Sequence, residues 1–386
     1  MARLGEIFNL QMGKTPARAN NEYWDRGNNP WVSIADLSSY EKYVGATKEL
    51  ITDKAVEESG IKCVPANTVI MSFKLSLGKS AITKTTVYTN EAIIAFIPNG
   101  RYKVSTDYFY HFCSGKDWSV GTNRAVMGAT LNKATLSDMD IDLPAIDIQD
   151  SIAKKLDKVD RLIFLRKQQL SKLDELVKAR FVEMFGTFPA NEKGWKIGTI
   201  RDVVAEVRYG SSRKAANGDS GQYPYLRMNN ITYNGELDLT DTKTIDVPEE
   251  ELSKCTVKRG DVLFNRTNSK ELVGKTCVYN RDEMMVLAGF VVRVRVNDLV
   301  LPEFLSGFLN TDFSKKMLLG MCKTAIGQAN INAQELQNIE LYLPSIKLQE
   351  EFVEFKNKAD KSKLTIQQSL DKLELLKKAL MQEYFG

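Results

Sequence analysis

The sequence predicts an α/β (α+β) protein made twice over: two similar mixed α/β modules, each handing over to one long helix. Three observations predict it. Residues 132–186 match residues 332–386 without a gap. Each copy holds a proline after which neither Pro nor Gly recurs until Gly186 or Gly386, and its apolar residues keep a helical period. The remaining segments carry short β-branched and aromatic runs bounded by turn residues.

The elements follow in order. "LGEIFNLQMGKTP" (4–16) parallels "IRDVVAEVRYGSSRK" (200–214), and "NNPWVSIADL" (28–37) parallels "QYPYLRMNNI" (222–231). "VPANTVIMSF" (64–73) parallels "VKRGDVLFNR" (257–266), and "LGKSAIT" (77–83) parallels "VGKTCVY" (273–279). "TVIMSF", "AIIAFIP" (92–98), "DVLFN" (261–265) and "GFVVRVRV" (289–296) read as strands. "YFYHF" (108–112) and "PEFLSGFLNTDFSKKML" (302–318) read as short helices. "IDLPAI" (141–146) and "LYLPSI" (341–346) read as the strands that leave a module just ahead of a long helix. The expected boundaries are 1–145 and 187–345 for the modules, 146–186 and 346–386 for the helices.

In the first long helix Ile152, Leu156, Val159, Ile163, Arg166, Leu170, Leu173, Val177, Arg180 and Met184 alternate spacings of four and three, the period of a coiled-coil seam. The second carries Phe352, Ala359, Ile366, Leu370, Leu373, Leu380 and Tyr384, interrupted by Lys356, Lys363 and Lys377. At 1.5 Å per residue each helix is roughly 50 Å long. Each is too long for one small module to cover, so the two are expected to pack on each other as a rod between the modules.

Bulk properties narrow the chemistry. The chain has 386 residues, 26% charged and 43% hydrophobic, with a net charge of +4. No run is apolar enough for a membrane span, and the five scattered cysteines include no CxxC pair, which fits reduced thiols in a cytoplasm. A single histidine, His111, leaves no pair for zinc and no base for a Ser or Cys nucleophile elsewhere. No catalytic and no metal residue is predicted. "LGKS" and "VGKT" resemble the end of a phosphate-binding loop, but Phe73 and Ser269 stand where the loop needs its first glycine. They read instead as turns that present a lysine. "NNPW" (28–31) lacks the second proline of an adenine-N6 methyltransferase signature, and no glycine-rich cofactor loop precedes it.

Basic, amide-rich loops are the positive signal, because Arg, Lys, Asn and Gln pair with base edges and phosphates. The first module offers Lys14, Arg18, Lys74, Lys79, Arg101 and Arg124. The second offers Arg213, Arg227, Asn229, Arg266, Asn268 and Lys275, together with Gln328 and Asn330 in "KTAIGQANIN" (323–332). Singly, such residues populate any solvated loop; their recurrence at matching places in both modules points to nucleic acid.

Taken with the repeat, the phrase "GQANINAQELQNIELYLPSIKLQEEF" (327–352) resembles the specificity subunit of a type I restriction-modification system. Its Gln-x-Asn-Ile pattern, Leu-Pro-x-Ile strand exit and helix-opening Gln carry the likeness, which covers essentially the whole chain. The first copy departs from it, with Ala129, Thr130 and Leu131 in place of Ala329, Asn330 and Ile331. The resemblance implies two target recognition domains, each reading half of a split double-stranded DNA sequence in the major groove. It implies an antiparallel coiled coil that acts as a ruler, a pseudo-twofold relation between halves, and two docked methyltransferase (modification) subunits. Restriction (translocase-nuclease) subunits would join them. S-adenosylmethionine, ATP and Mg would belong to those partners, so this chain would bind no cofactor and be a non-catalytic subunit. A rod of roughly 50 Å corresponds to at most roughly 15 base pairs at about 3.4 Å each. Two other readings stand beside this one: an orphan or exchanged specificity subunit serving a solitary methyltransferase or a fused restriction-methylation enzyme, and a protein-binding scaffold, which the basic loops oppose.

Overall fold

Strand residues Val69–Ser72 are all buried, because the two faces of their sheet cover different cores. Val69 and Met71 point into one hydrophobic cluster with Ile94 and Phe96, while Ile70 joins Ile93 and Ala95 in another. The same alternation recurs later in the chain. Val262 and Phe264 share a core with Val292 and Val294, and Leu263 faces the opposite side with Val291.

A computed structural model describes residues 1–74, 77–118, 123–125, 128–216, 220–325 and 328–386, with backbone alone at 123–125, 128–130, 323–325 and 328. The chain divides into two compact units, Met1–Arg166 with Ser369–Gly386, and Lys167–Gln368.

The first unit holds an antiparallel sheet in the order Phe8–Met12, Ile93–Pro98, Val69–Ser72, Ser80–Ile82. A smaller mixed sheet orders Glu49–Ile51, Asn29–Val32 and Tyr88–Thr89. The second unit repeats the first sheet as Val204–Tyr209, Val291–Val296, Val262–Asn265, Thr276–Val278. It enlarges the other to Lys243–Ile245, Tyr223–Leu226, Met285–Leu287, Thr256–Val257. Gly13 and Gly210 end matching strands, and a Cβ on either would fall 2.2 Å from a carbonyl oxygen, of Thr89 or of Leu287. "NNPW" enters a strand, with Trp31 buried and its indole N–H donating to the Lys14 carbonyl.

The long helices span Ile146–Phe185 and Ile346–Phe385. Each begins beside a buried glutamine that the repeat keeps. The Gln149 amide donates to the carbonyls of Lys103 and Pro144 and accepts from the Ser105 N–H. Gln349 donates to Leu299 and Pro344 and accepts from Leu301. The division into units cuts both helices, because opposite ends of each carry the apolar residues that fill different cores. Ile152 and Leu156 join the first unit's core with Leu380, Met381, Tyr384 and Phe385. Phe181, Phe185 and Phe352 lie in the second unit's core, their rings 4.7–5.7 Å apart.

Within each unit the helix segments run antiparallel. In the first, Lys155 lies over the Tyr384 ring and Asp160 pairs with Lys377 at 2.6 Å. In the second, Asp174 pairs with Lys363 and Arg180 lies over Phe355. The lysines that interrupt the second seam are therefore ion-paired; Lys356 binds Asp360 one turn on.

"YFYHF" lies in the helix Thr106–Gly115, its His111 buried against Asp157 with Nε2 at 2.9 Å. Burial holds that imidazole below its usual pKa, although Asp157 pulls the other way. The run at 302–318 forms two helices rather than one, Pro302–Leu309 and Asp312–Met321. The break falls where the Asn310 side chain donates to the Thr276 carbonyl and Thr311 caps the second helix.

Candidate nucleic-acid interface

The strand Val262–Asn265 leaves its sheet at Arg266 and continues as Thr267–Asn268 in a small antiparallel sheet with Gln328–Asn330 and Lys323–Ala325. Thr267 lies opposite Asn330 and Asn268 opposite Ala329, so Asn268 and Asn330 stand on neighbouring strands of one ledge that Arg266 leads into, with Asn330 on the Thr267 face. The Thr267 hydroxyl donates to the Asn330 side-chain oxygen at 3.3 Å. Asn268 is held by Asn265 and accepts from the Ser269 N–H. The side chain of Gln328 lies outside the described residues.

Arg266 differs from its neighbours in having no acidic partner among the described residues. Its guanidinium lies 4.9 Å over the Tyr209 ring, one terminal nitrogen is 3.5 Å from the Gly289 carbonyl, and Nε is buried without a partner. Arg213 instead grips both oxygens of Glu251, and Arg227 binds Asp241 at 2.8 Å. Arg227 opens the turn Met228–Asn230, which displays Asn229 to solvent.

Lys275 corrects the reading of "VGKT" as a turn that presents its lysine. The turn forms, with Gly274 at φ 79°, but Lys275 is buried and its ammonium donates to the Met228 carbonyl at 2.9 Å. Burial pulls its pKa below the ordinary lysine value. It is a brace under the Met228–Asn230 turn. In the matching turn Lys79 is exposed.

In the first unit Arg18 lies 3.9 Å over Trp24 and 4.7 Å over Trp31 while pairing with Glu49. Lys14 donates to the Ser59 carbonyl, and Lys74 lies against its neighbour Phe73. Lys79 and Arg101 are exposed without an acidic partner among the described residues; the Arg124 side chain lies outside them. Among the described residues no hydrogen bond, ion pair or ring contact joins any two of these side chains.

Two side chains that the loop reading passed over stand beside Arg266. Tyr209 is 46% exposed, and Phe290, whose carbonyl accepts from the Arg266 N–H, is 51% exposed. The signal for Tyr209 was an aromatic embedded in the basic run "RYGSSRK".

The sequence matches the family described as type I restriction modification DNA specificity domain over residues 1–175 and again over 192–375. The type I restriction enzyme MjaIX specificity subunit of Methanocaldococcus jannaschii is 28% identical over 251 residues, 59% of this chain and 57% of that protein. The EcoKI specificity subunit of Escherichia coli K12 is 23% identical over 268 residues, 65% of this chain and 57% of that one. The aligned part of the chain thus spans little more than half the length of these curated relatives. In fold, the chain is similar to one solved in work on complex assembly of the type I R-M system, with TM-score 0.61, 16% identity, and 100% and 96% of the two chains covered. The S subunit of the type I restriction-modification system of M. genitalium superposes with TM-score 0.55 at 12% identity, over 100% and 95% of the two chains. Two matches to one family, laid over two copies of one frame, leave a single assignment: the chain belongs to the type I restriction-modification DNA specificity domain family.

Proposed function

We propose that this chain reads a bipartite double-stranded DNA sequence, one module to each half-site, as the non-catalytic specificity subunit of a type I restriction-modification enzyme. The observation that carries the reading is one strand order built twice with different side chains at the strand ends, Met12 and Phe73 in one copy and Tyr209 and Arg266 in the other. A shared frame with divergent strand ends is what two readers of different half-sites require. Arg266, Asn268 and Asn330 supply donors and acceptors suited to base edges, and exposed lysines such as Lys79 suit phosphates.

The partners are two methyltransferase subunits, joined by restriction subunits. Exposed apolar residues recur at matching places of the two helices, Phe164 with Leu364 and Leu176 with Leu376, which supports two docking patches for two copies of one partner. S-adenosylmethionine, ATP and Mg belong to those subunits, and the whole works in the cytoplasm, where the DNA is. Among the described residues no helix is long and apolar enough to cross a membrane.

The test is methylation mapping by long-read sequencing in a host that expresses the methyltransferase subunit with and without this chain. One two-part adenine-methylation motif with an unread spacer is expected only when the chain is present. A contiguous motif, or methylation independent of the chain, overturns the reading.

A further inference from the structure

The two units share their backbone at the ledge but not its side chains. In the second unit the Arg266 N–H donates to the Phe290 carbonyl at 3.0 Å, and the Ile331 N–H donates to the Arg266 carbonyl at 2.9 Å. In the first unit Phe73 makes both bonds in the same way, to Ala92 at 3.1 Å and from Leu131 at 3.1 Å. Strand register confirms the match. Ser72 faces Ile93 and Asn265 faces Val291, while Met12 faces Ile94 and Tyr209 faces Val292. Where the second unit has Arg266 over Tyr209, the first therefore has a buried Phe73 and an exposed Met12.

Tyr209 is fixed at both ends. Its strand Val204–Tyr209 pairs with Val291–Val296, and its hydroxyl accepts from the Ala333 N–H at 3.0 Å. Ala333 in turn opens a short helix locked by a capping box between Asn332 and Glu335. The ring thus presents a fixed face, and the Arg266 guanidinium rests on it at 4.9 Å. An arginine has several rotatable bonds, and holding its planar fork before the ligand arrives lowers the entropy lost on binding. With its backbone gripped on both edges and its head on an aromatic face, Arg266 retains few orientations. No carboxylate among the described residues must be displaced before it can serve a ligand.

We infer that Tyr209 is the positioning residue for Arg266, and that this pair sets a guanine preference at one position of the half-site read by the second module. The inference rests on the DNA-reading function proposed above. An arginine fork matches the two acceptors of guanine in the major groove, which gives the preference its direction. The first module, with Phe73 at the equivalent place, has no such contact there.

The experiment uses the full chain assembled with its methyltransferase subunits and scores methylation and competitive binding on duplexes altered one base pair at a time. Tyr209→Met places in the second frame the residue that the first frame carries at Met12. It is expected to relax discrimination about tenfold at one base pair of one half-site, leaving the other half-site unchanged. Tyr209→Phe, which keeps the ring, retains most of that discrimination. In an Arg266→Ala background, Tyr209→Met adds nothing further.

Equal weakening on all duplexes would reduce Tyr209 to a structural residue and overturn the inference. So would relaxation by Arg266→Ala that Tyr209→Met does not share, which leaves DNA reading intact. Failure of the unsubstituted complex to prefer any two-part sequence instead sinks the function itself. Should Tyr209→Met not assemble, Tyr209→Leu, which also removes the ring, is scored in its place and carries the same outcomes.

Discussion

Deleting the Arg266 guanidinium removes a cation that has no competing carboxylate among the described residues, so its loss should fall on the ligand rather than on the fold. Arg266→Ala is expected to cost about 1–3 kcal/mol of discrimination at one base pair, read by competition between matched and singly altered duplexes. An unchanged sequence preference would remove it from the interface. Gln349 is the opposite kind of residue, buried and engaged by three backbone groups. Gln349→Ala should destabilise the chain by about 1–3 kcal/mol in denaturant melts, because the Leu301 N–H and two carbonyls lose their partner inside the protein. At this scale the sequence was only half legible. Loop composition identified Arg213, Arg227 and Arg18, but not that each is occupied by a carboxylate far along the chain, Glu251, Asp241 or Glu49. Nor could it tell that Lys275 is a buried brace while its counterpart Lys79 is exposed. Ion pairing and burial depend on long-range folding, which composition does not encode.

The long helices were legible because their signal is local and repeats: a seam of threes and fours with one proline at the head. Two of their charged interruptions were not, since Lys363 and Lys377 each need a partner from the other helix. Asp160 and Asp174 stand as far apart on the first helix as Lys363 and Lys377 on the second, two heptads in each case. Removing one heptad from each interval keeps both pairs and shortens each helix by about 10 Å, or roughly three base pairs. The methylated motif should lose about that much spacer; an unaltered spacer would discard the ruler. His111 ties the helix Thr106–Gly115 to the long helix through Asp157. Because burial lowers its folded pKa, the unfolded chain binds the proton more readily between that value and about 6.5. Stability should therefore rise with pH through this window and be lost as pH falls below about 6.5. Melting curves from pH 7.5 to 5.5 should show this slope, and His111→Gln should flatten it; an equal slope in the variant would assign the effect elsewhere.

At the scale of the whole molecule, duplication predicts stoichiometry. Two equivalent apolar patches should recruit two methyltransferase subunits, and Leu364→Asp should leave one, as native mass measurement of the complex would show. Retention of both copies would move the docking surface away from Leu364. The duplication was the most legible feature of all, because an ungapped repeat needs no structure to be seen. The partition of the chain into units was not, since it depends on which core each helix end fills.

That partition also sets an order of events during synthesis. The second unit is a single continuous stretch, Lys167–Gln368, whereas the first needs Ser369–Gly386 to complete its core. A ribosome therefore delivers all of the later unit before the earlier one can close, and Ile152 and Leu156 wait unsealed while the intervening polypeptide emerges. A premature stop just after Gln368 should accordingly cripple the half of the protein encoded first and spare the half encoded last.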